Sequence, residues 1–420
     1  MSAMDCDILV IGAGAAGIAA ARAAIASGHR VRVLEARGRL GGRALTDISL
    51  GVPFDLGATW LHSAERNPLV PLARELGVAL TDADAARREI TFIGSRRITP
   101  EEDAAYDAAW DAFEQAVAAR AAAAGPDIPA AEAAPHGGPW DATVAAWQGC
   151  VISAAPLEAI SLRDFAASLL SGGNMLPEGG LGALVARLGA ALPVTLGAAV
   201  TALRWGGREA AAEGDFGTLR ARAVVCTLPA ALLAAEAIRF DPPQPPEVIQ
   251  AAHDLPLGAA IKLALRAAGE DRLGLPDHAS TDRQVAPGEA LIPIGFWPRG
   301  APFASAWIGG PLAEHAECEG PAAAESLLRA EIATRLGSRA PAAFLPGALG
   351  TAWGRDPLAR GVYSHARVGA AGARAVLAAP LAGGRLCLAG EACHATLAGT
   401  VAGAWISGEA AARVASAACA

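Results

Sequence analysis

An α/β fold built from two domains is what this sequence predicts, and three observations carry the prediction. Residues 7–35 read as strand, glycine turn, helix, strand and acid. A second buried-strand pattern with an acid at its tip returns near the C-terminus. The 420 residues, 53% of them hydrophobic, exceed what one simple core accommodates.

The first element is Asp7-Ile8-Leu9-Val10-Ile11, which opens into Gly12-Ala13-Gly14-Ala15-Ala16-Gly17 and an alanine-rich helix to Ser27. The run Arg30-Val31-Arg32-Val33-Leu34 follows and ends on Glu35. Gly12 permits the tight turn, and Gly14 lets the backbone approach a pyrophosphate at the helix N-terminus. Gly17 allows helix and strand to pack closely. A carboxylate closing the second strand accepts from ribose hydroxyls, so the glycine motif stands in the context a dinucleotide site requires. The prediction is a Rossmann-type domain, and Glu at this place favours an unphosphorylated ribose.

Ala36-Arg37-Gly38-Arg39-Leu40-Gly41-Gly42-Arg43 then offers a guanidinium and bare amides where phosphates lie. Phe54-Asp55-Leu56-Gly57-Ala58-Thr59-Trp60-Leu61-His62 reads as a strand end opening into a small-residue turn suited to a flat ring. A helix is expected over 67–76, a hairpin over 88–99 and a capped helix from Thr99 to Ala124. Residues 125–140 read as irregular, and 140–149 and 156–171 as helical. A helix over 181–192, a strand over 194–201 and a strand ending at Cys226-Thr227-Leu228-Pro229 return to the nucleotide-domain pattern.

Asp241-Pro242-Pro243-Gln244-Pro245-Pro246 is a stiff connector, read as a crossing between domains. Strands around 257–268 and 290–309 and a helix over 321–337 belong to the second domain. Arg385 to Glu391 is another buried strand with an acid at its tip, followed by a last helix over about 399–417. The nucleotide domain is thus expected over 1–80, 190–245 and 345–420. The substrate domain, α+β with a mixed sheet and helices, takes 81–189 and 246–344.

A net charge of −8 argues against a nucleic-acid partner and is compatible with a cationic substrate. Seven scattered cysteines with no CxxC suggest neither a disulfide framework nor a metal site, and point to a reducing, cytoplasmic compartment. The first strand begins within ten residues of Met1, and no apolar run is long enough to span a membrane. Of the 34 basic residues, 33 are arginine, and the single lysine is Lys262.

These motifs, in order, resemble the FAD-dependent amine oxidases. To the segments above the resemblance adds Pro177-Glu178-Gly179-Gly180, Val200, the strand bearing Lys262, Trp353, Gly361-Val362-Tyr363-Ser364, Gly390-Glu391 and Gly399-Thr400-Val401. It implies FAD rather than NAD, with Glu35 at the adenosine ribose, Ala36, Arg37, Gly42 and Arg43 beside the phosphates, and Val200 at the adenine. Glu391 would bond the ribityl or phosphate region. Thr400 and Val401 would sit under the pyrimidine end, and Gly57, Ala58, Thr59 and Trp60 would line the isoalloxazine. Lys262 would hold a water near flavin N5, a task for a compact ammonium that a guanidinium cannot perform.

Two departures from the monoamine oxidases are visible. Val362 stands where their flavin-attaching cysteine precedes the cage tyrosine, so noncovalent FAD is expected. Thr400 stands where their second cage tyrosine is, leaving Tyr363 alone. The segment Gly57–His62 looks more like the polyamine oxidases, in which the matching histidine faces substrate. The implied reaction is oxidation of a C–N bond to an imine or aldehyde with O2 as acceptor, with Lys262, Tyr363, His62 and Trp60 at the reacting end. The expected partners are a small amine and O2, no nucleic acid and no membrane; a homodimer is admitted. An L-amino acid oxidase, which needs an arginine to clamp a carboxylate, a C–C desaturating flavoenzyme and a flavin-bearing interaction protein stay open.

Overall fold

The computed structural model describes residues 4–419. Its centre is a five-stranded parallel sheet in the order Leu386–Leu388, Ala223–Cys226, Ile8–Ile11, Val31–Leu34, Val194–Thr195. Ile8, Leu9, Val10, Ala223, Val224 and Val225 are fully buried, which is why these strands read as continuous apolar runs rather than alternating ones. The helices Ala15–Ala26 and Val401–Cys419 cover one face. They touch because Gly408 has no side chain: a Cβ there would lie 2.1 Å from the Ala16 carbonyl.

The expected strand over 194–201 is two strands in two sheets. Val194–Thr195 closes the parallel sheet, the chain turns at Gly197 (φ +67°), and Val200–Arg204 begins a four-stranded sheet. The break wraps the acid at the end of the second strand, since Gly197 donates to the Arg37 carbonyl and Ala198 to the Glu35 carbonyl. A strand-like composition could not reveal that turn.

The second large sheet has seven strands, ordered Leu349–Gly350, Ala260–Arg266, Phe303–Gly309, Ile294–Phe296, Ala279–Arg283, Arg88–Ile93, Arg96–Arg97. It is mixed, with Ala279–Arg283 parallel to Arg88–Ile93 and its other pairings antiparallel. Helix Pro321–Leu336 packs on it through Leu328 and Ile332. In this sheet Lys262 pairs with Trp307.

A third layer is helical. Pro100–Ala122 starts with the capping box Thr99–Glu102 and buries Tyr106, Phe113 and Val117 against Trp140 and Phe165. The expected helix over 140–149 is α-helical only over Asp141–Ala146. It widens into a π-helical turn over Trp147–Ser153 that ends on Ala154 in a left-handed conformation. The stretch 156–171 is likewise shorter, a 3₁₀ turn Leu157–Ala159 and helix Leu162–Ser168 capped by Ser161. After the proline-rich connector the chain forms helix Pro246–His253, whose Val248, Ala251 and Ala252 share a core with Leu9 and Ile11 of the parallel sheet. Among the described residues no helix is long and apolar enough to cross a membrane.

Candidate active site

A cavity of about 1410 Å³ joins the carboxyl ends of the parallel strands to the seven-stranded sheet. Small-ligand pockets usually hold about 300–1,000 Å³, so there is room for a dinucleotide and a substrate together. Its nucleotide end is lined by Gly12, Gly14, Ala15, Ala16, Glu35, Ala36, Arg37, Gly42, Arg43 and Val200. Two predicted residues of the glycine turn stand behind the wall instead. Ala13 donates its N–H to Glu35 Oε2 at 2.7 Å, and a Cβ on Gly17 would lie 1.9 Å from the Gly12 carbonyl. They shape the turn without facing the cavity.

Glu35 is buried, and its second oxygen accepts from the Arg37 N–H at 2.8 Å. Both oxygens are thus oriented by backbone donors and keep lone pairs for a diol. The N-cap Gly14 brings no side chain, so the first N–H groups of Ala15–Ala26 remain without a side-chain acceptor. A Cβ on Gly42 would stand 3.2 Å from the Gly14 Cα. The two loops therefore approach backbone to backbone and form a cradle that only glycine leaves open.

At the other end, Lys262 Nζ donates to the Gly57 carbonyl at 2.9 Å and to Thr59 Oγ1. It lies 5.8 Å from the ring centroids of both Phe54 and Trp307. Burial lowers its pKa from the ordinary value near 10.5 to about 8, against the opposing field of Asp55. The residue counts as only half-buried because the face it exposes lines the cavity. Asp55 is buried and accepts from Thr46 Oγ1 and from the Leu181 and Gly182 N–H groups.

Tyr363 and Trp307 are held by the π-helical turn. The Tyr363 hydroxyl donates to the Ile152 carbonyl at 2.7 Å and the Trp307 indole N–H to the Val151 carbonyl at 2.8 Å. The last carbonyls of a helical segment lack intrahelical donors, and here two aromatic side chains satisfy them. Trp353 is buried and donates to the Leu56 carbonyl at 3.0 Å. Burial raises the Tyr363 pKa, so the phenol stays protonated.

Trp60 is 44% exposed at the cavity edge, its ring centroid 5.7 Å from that of His62. His62 Nδ1 lies 2.7 Å from Asn174 Oδ1, and Asn174 Nδ2 lies 3.1 Å from each oxygen of Asp84. A carboxylate can only accept, so the Asn174 amide faces it with its NH2 and presents Oδ1 to His62. His62 therefore carries its proton on Nδ1. Burial lowers its pKa, leaving a neutral ring with Nε2 as acceptor.

Glu391 is buried at the tip of the last parallel strand. It meets Arg43 at 3.2 Å and accepts from Ser364 Oγ at 2.7 Å and from the Gly399 N–H at 3.1 Å. Burial pushes its pKa up, but Arg43, Arg374 and Ser364 outweigh that and hold it below the ordinary carboxylate range. Behind it Arg374 donates to Ser364 Oγ at 2.8 Å and forms a buried pair with Asp164 at 2.6 Å. Gly57, Ala58, Gly390, Gly399, Thr400 and Val401 also line the cavity. Thr400 Oγ1 accepts from the Gly403 N–H at 2.9 Å, capping the last helix, whose first turn then offers N–H groups to the cavity end.

The residues present fit a flavin dinucleotide: a glycine cradle at a helix N-terminus, an oriented carboxylate at the second strand, and the small residues Gly57 and Ala58 at the wall of the far end. Gly57 packs its turn on the neighbouring loop, where a Cβ would lie 1.8 Å from the Arg43 carbonyl. Among the described residues no cluster of His, Cys, Asp or Glu could hold a metal.

Asn174, Asp84, Trp307, Asp164 and Arg374 join the site without any motif in the sequence around them. Each reaches its partner across a large separation, 112 residues for His62 and Asn174 and 210 for Asp164 and Arg374, and no local spacing signals it.

The model of one family, described as flavin containing amine oxidoreductase, matches residues 15–416. Polyamine oxidase 4 of Oryza sativa subsp. japonica is 29% identical over 97% of this chain and 88% of its own length. Among solved structures, wild-type putrescine oxidase bound to putrescine superposes with a TM-score of 0.80 at 20% identity, covering 97% of this chain and 98% of that one. Cyclohexylamine oxidase from Brevibacterium oxydans IH-35A gives a TM-score of 0.82 at 19% identity, covering 98% and 99%. At such identities these two speak for the α/β fold alone.

Proposed function

The chain belongs to the flavin containing amine oxidoreductases, and from that membership we propose that it binds FAD noncovalently and oxidises a C–N bond of a primary or secondary amine, polyamine-like substrates included, to an imine or aldehyde. When bound, FAD would supply the acceptor for a hydride lost from the carbon beside the amine nitrogen, with O2 as the final acceptor giving H2O2. The observation that carries this reading is the convergence of Lys262, Tyr363, His62 and Trp60 on one cavity with the glycine cradle and Glu35.

Each side chain has a task its geometry supports. Tyr363 and Trp307, held through their polar atoms, offer ring faces that orient the amine and keep water from it. His62, with Nε2 as acceptor, takes a hydrogen bond from a substrate N–H and orients it, while burial of the amine in the cavity favours the neutral form whose lone pair supports loss of hydride. Lys262 reaches the cavity with the donor that the Gly57–Thr59 turn leaves free, and we assign it to the oxygen half of the cycle. Glu35, Arg43, Val200, Glu391 and Val401 would hold the cofactor, and Val362 beside Tyr363 offers no thiol for attachment.

One acid of the cavity is open to a cationic substrate. Of the acids lining the cavity, Glu35, Asp55, Asp164 and Glu391 are each bonded to protein donors, while Glu114 is exposed and among the described residues has no ion-pair partner. The L-amino acid oxidase alternative asks for a free guanidinium; of the arginines lining the cavity, Arg37, Arg43, Arg87 and Arg374 are paired with acids, which leaves Arg299 and Arg360 among the described residues. Anaerobic mixing with a panel separates the readings: bleaching of the flavin by polyamines or simple amines supports the proposal, bleaching by amino acids alone replaces it, and bleaching by none refutes it.

A further inference from the structure

Thr59 lies in the turn after Gly57, and its hydroxyl is directed at Lys262 rather than at the cavity's contents. Lys262 Nζ donates to Thr59 Oγ1 and to the Gly57 carbonyl at 2.9 Å. The hydroxyl proton faces the same Gly57 carbonyl, 3.3 Å away, so Oγ1 turns its lone pairs to Nζ. A β-branched side chain is stiff at χ1, which presents that oxygen in one direction. An ammonium has three N–H donors; two are taken by this turn and one is left for the cavity that Lys262 lines.

We propose that Thr59 is the positioning residue for Lys262: it holds Nζ on the turn, favours the ammonium over the free amine, and aims the remaining donor into the cavity. The groups facing Nζ are Asp55 from the strand Phe54–Asp55, the Gly57 carbonyl and Thr59 hydroxyl from the following turn, and the rings of Phe54 and Trp307. Asp55 is the charged member of that set, and burial opposes it. Neither a backbone carbonyl nor a ring can be tuned by one substitution without loss of shape, whereas Thr59→Val keeps the shape and removes the acceptor.

The test uses the chain's single lysine. Protein grown on lysine labelled with 13C at Cε gives one side-chain resonance, whose shift against pH reports Lys262 directly, in flavin-loaded protein without any amine. Removing an acceptor from a charged donor disfavours the charged form, so Thr59→Val should lower the midpoint by about one unit. Thr59→Ser should restore at least half of that shift. The pH profile for reoxidation of the reduced flavin by O2 should move with the midpoint.

An unmoved midpoint in folded Thr59→Val overturns the proposal, as does a reoxidation profile that stays put while the midpoint moves. Should Thr59→Val fail to fold, Thr59→Ala is read in the same titration under the same criterion. The kinetic arm rests on the amine oxidase reading, but the titration does not. A shifted midpoint in a protein that no amine reduces would refute that reading and leave Thr59 in place.

Discussion

The Nδ1 atom of His62 stands 2.7 Å from Oδ1 of Asn174, and that contact sets which nitrogen of the ring the cavity meets. Asp84 orients the amide, the amide orients the imidazole, and a neutral ring then offers Nε2 as an acceptor. A histidine on a loop would otherwise sample both tautomers.

Asn174→Asp replaces the neutral acceptor with a carboxylate beside the ring, next to Asp84 and Arg87. An adjacent negative charge favours the imidazolium, so the His62 pKa rises and Nε2 becomes a donor at neutral pH. KM for the amine should rise about tenfold at pH 7 with a smaller change in kcat, and should recover as pH climbs past the new pKa. Steady-state kinetics against pH reads this; a KM penalty that grows with pH would refute the tautomer assignment.

Lys262→Met should stabilise the protein near neutrality while impairing it. The folded-state pKa of Lys262 is near 8 against about 10.5 unfolded, so the unfolded chain binds more protons between those values. Stability of the native protein then rises with pH across that window, and the penalty of the buried ammonium is fully present below about pH 8. We expect Lys262→Met to gain on the order of 2 kcal/mol at pH 7, after allowing for the donors lost at Gly57 and Thr59, and to lose that advantage toward pH 10.5. Urea midpoints at several pH values measure it.

Arg374→Met should destabilise the fold by about 3–5 kcal/mol, because Asp164 would be left as a buried charge without its partner. Arg374→Met with Asp164→Leu should recover part of that loss. Chemical denaturation of the three variants gives the comparison, and equal losses in the single and double variants would show that packing rather than charge is responsible.

Acid precipitation should release all the flavin into the supernatant. Val362 stands beside Tyr363 where attachment would need a thiol, and the cavity wall is lined by no cysteine among the described residues. Yellow colour retained in the washed pellet would contradict noncovalent binding.

Much of the architecture was legible in the chain itself. The strand Ile8–Ile11 is an apolar run that ends on a glycine turn, and Thr99 and Glu102 announce their helix locally. The lone lysine was conspicuous by composition, and it faces the cavity. What stayed hidden depends on distance along the chain. Nothing near His62 names Asn174, nothing near Ser364 names Asp164, and the Val194–Arg204 stretch conceals a turn because both of its halves favour strand. The π-helical turn at Trp147–Ser153 was hidden for another reason: its extra residue is accommodated by Gly309 and Gly310, where any Cβ would strike Cys150.

The most direct test of Lys262 at the reacting end is to follow both half-reactions of flavin-loaded Lys262→Met by rapid mixing. FAD should stay bound and still be reduced by amine under anaerobic conditions, while its reoxidation by O2 slows by about tenfold or more. Rates unchanged from wild type in both half-reactions would contradict it.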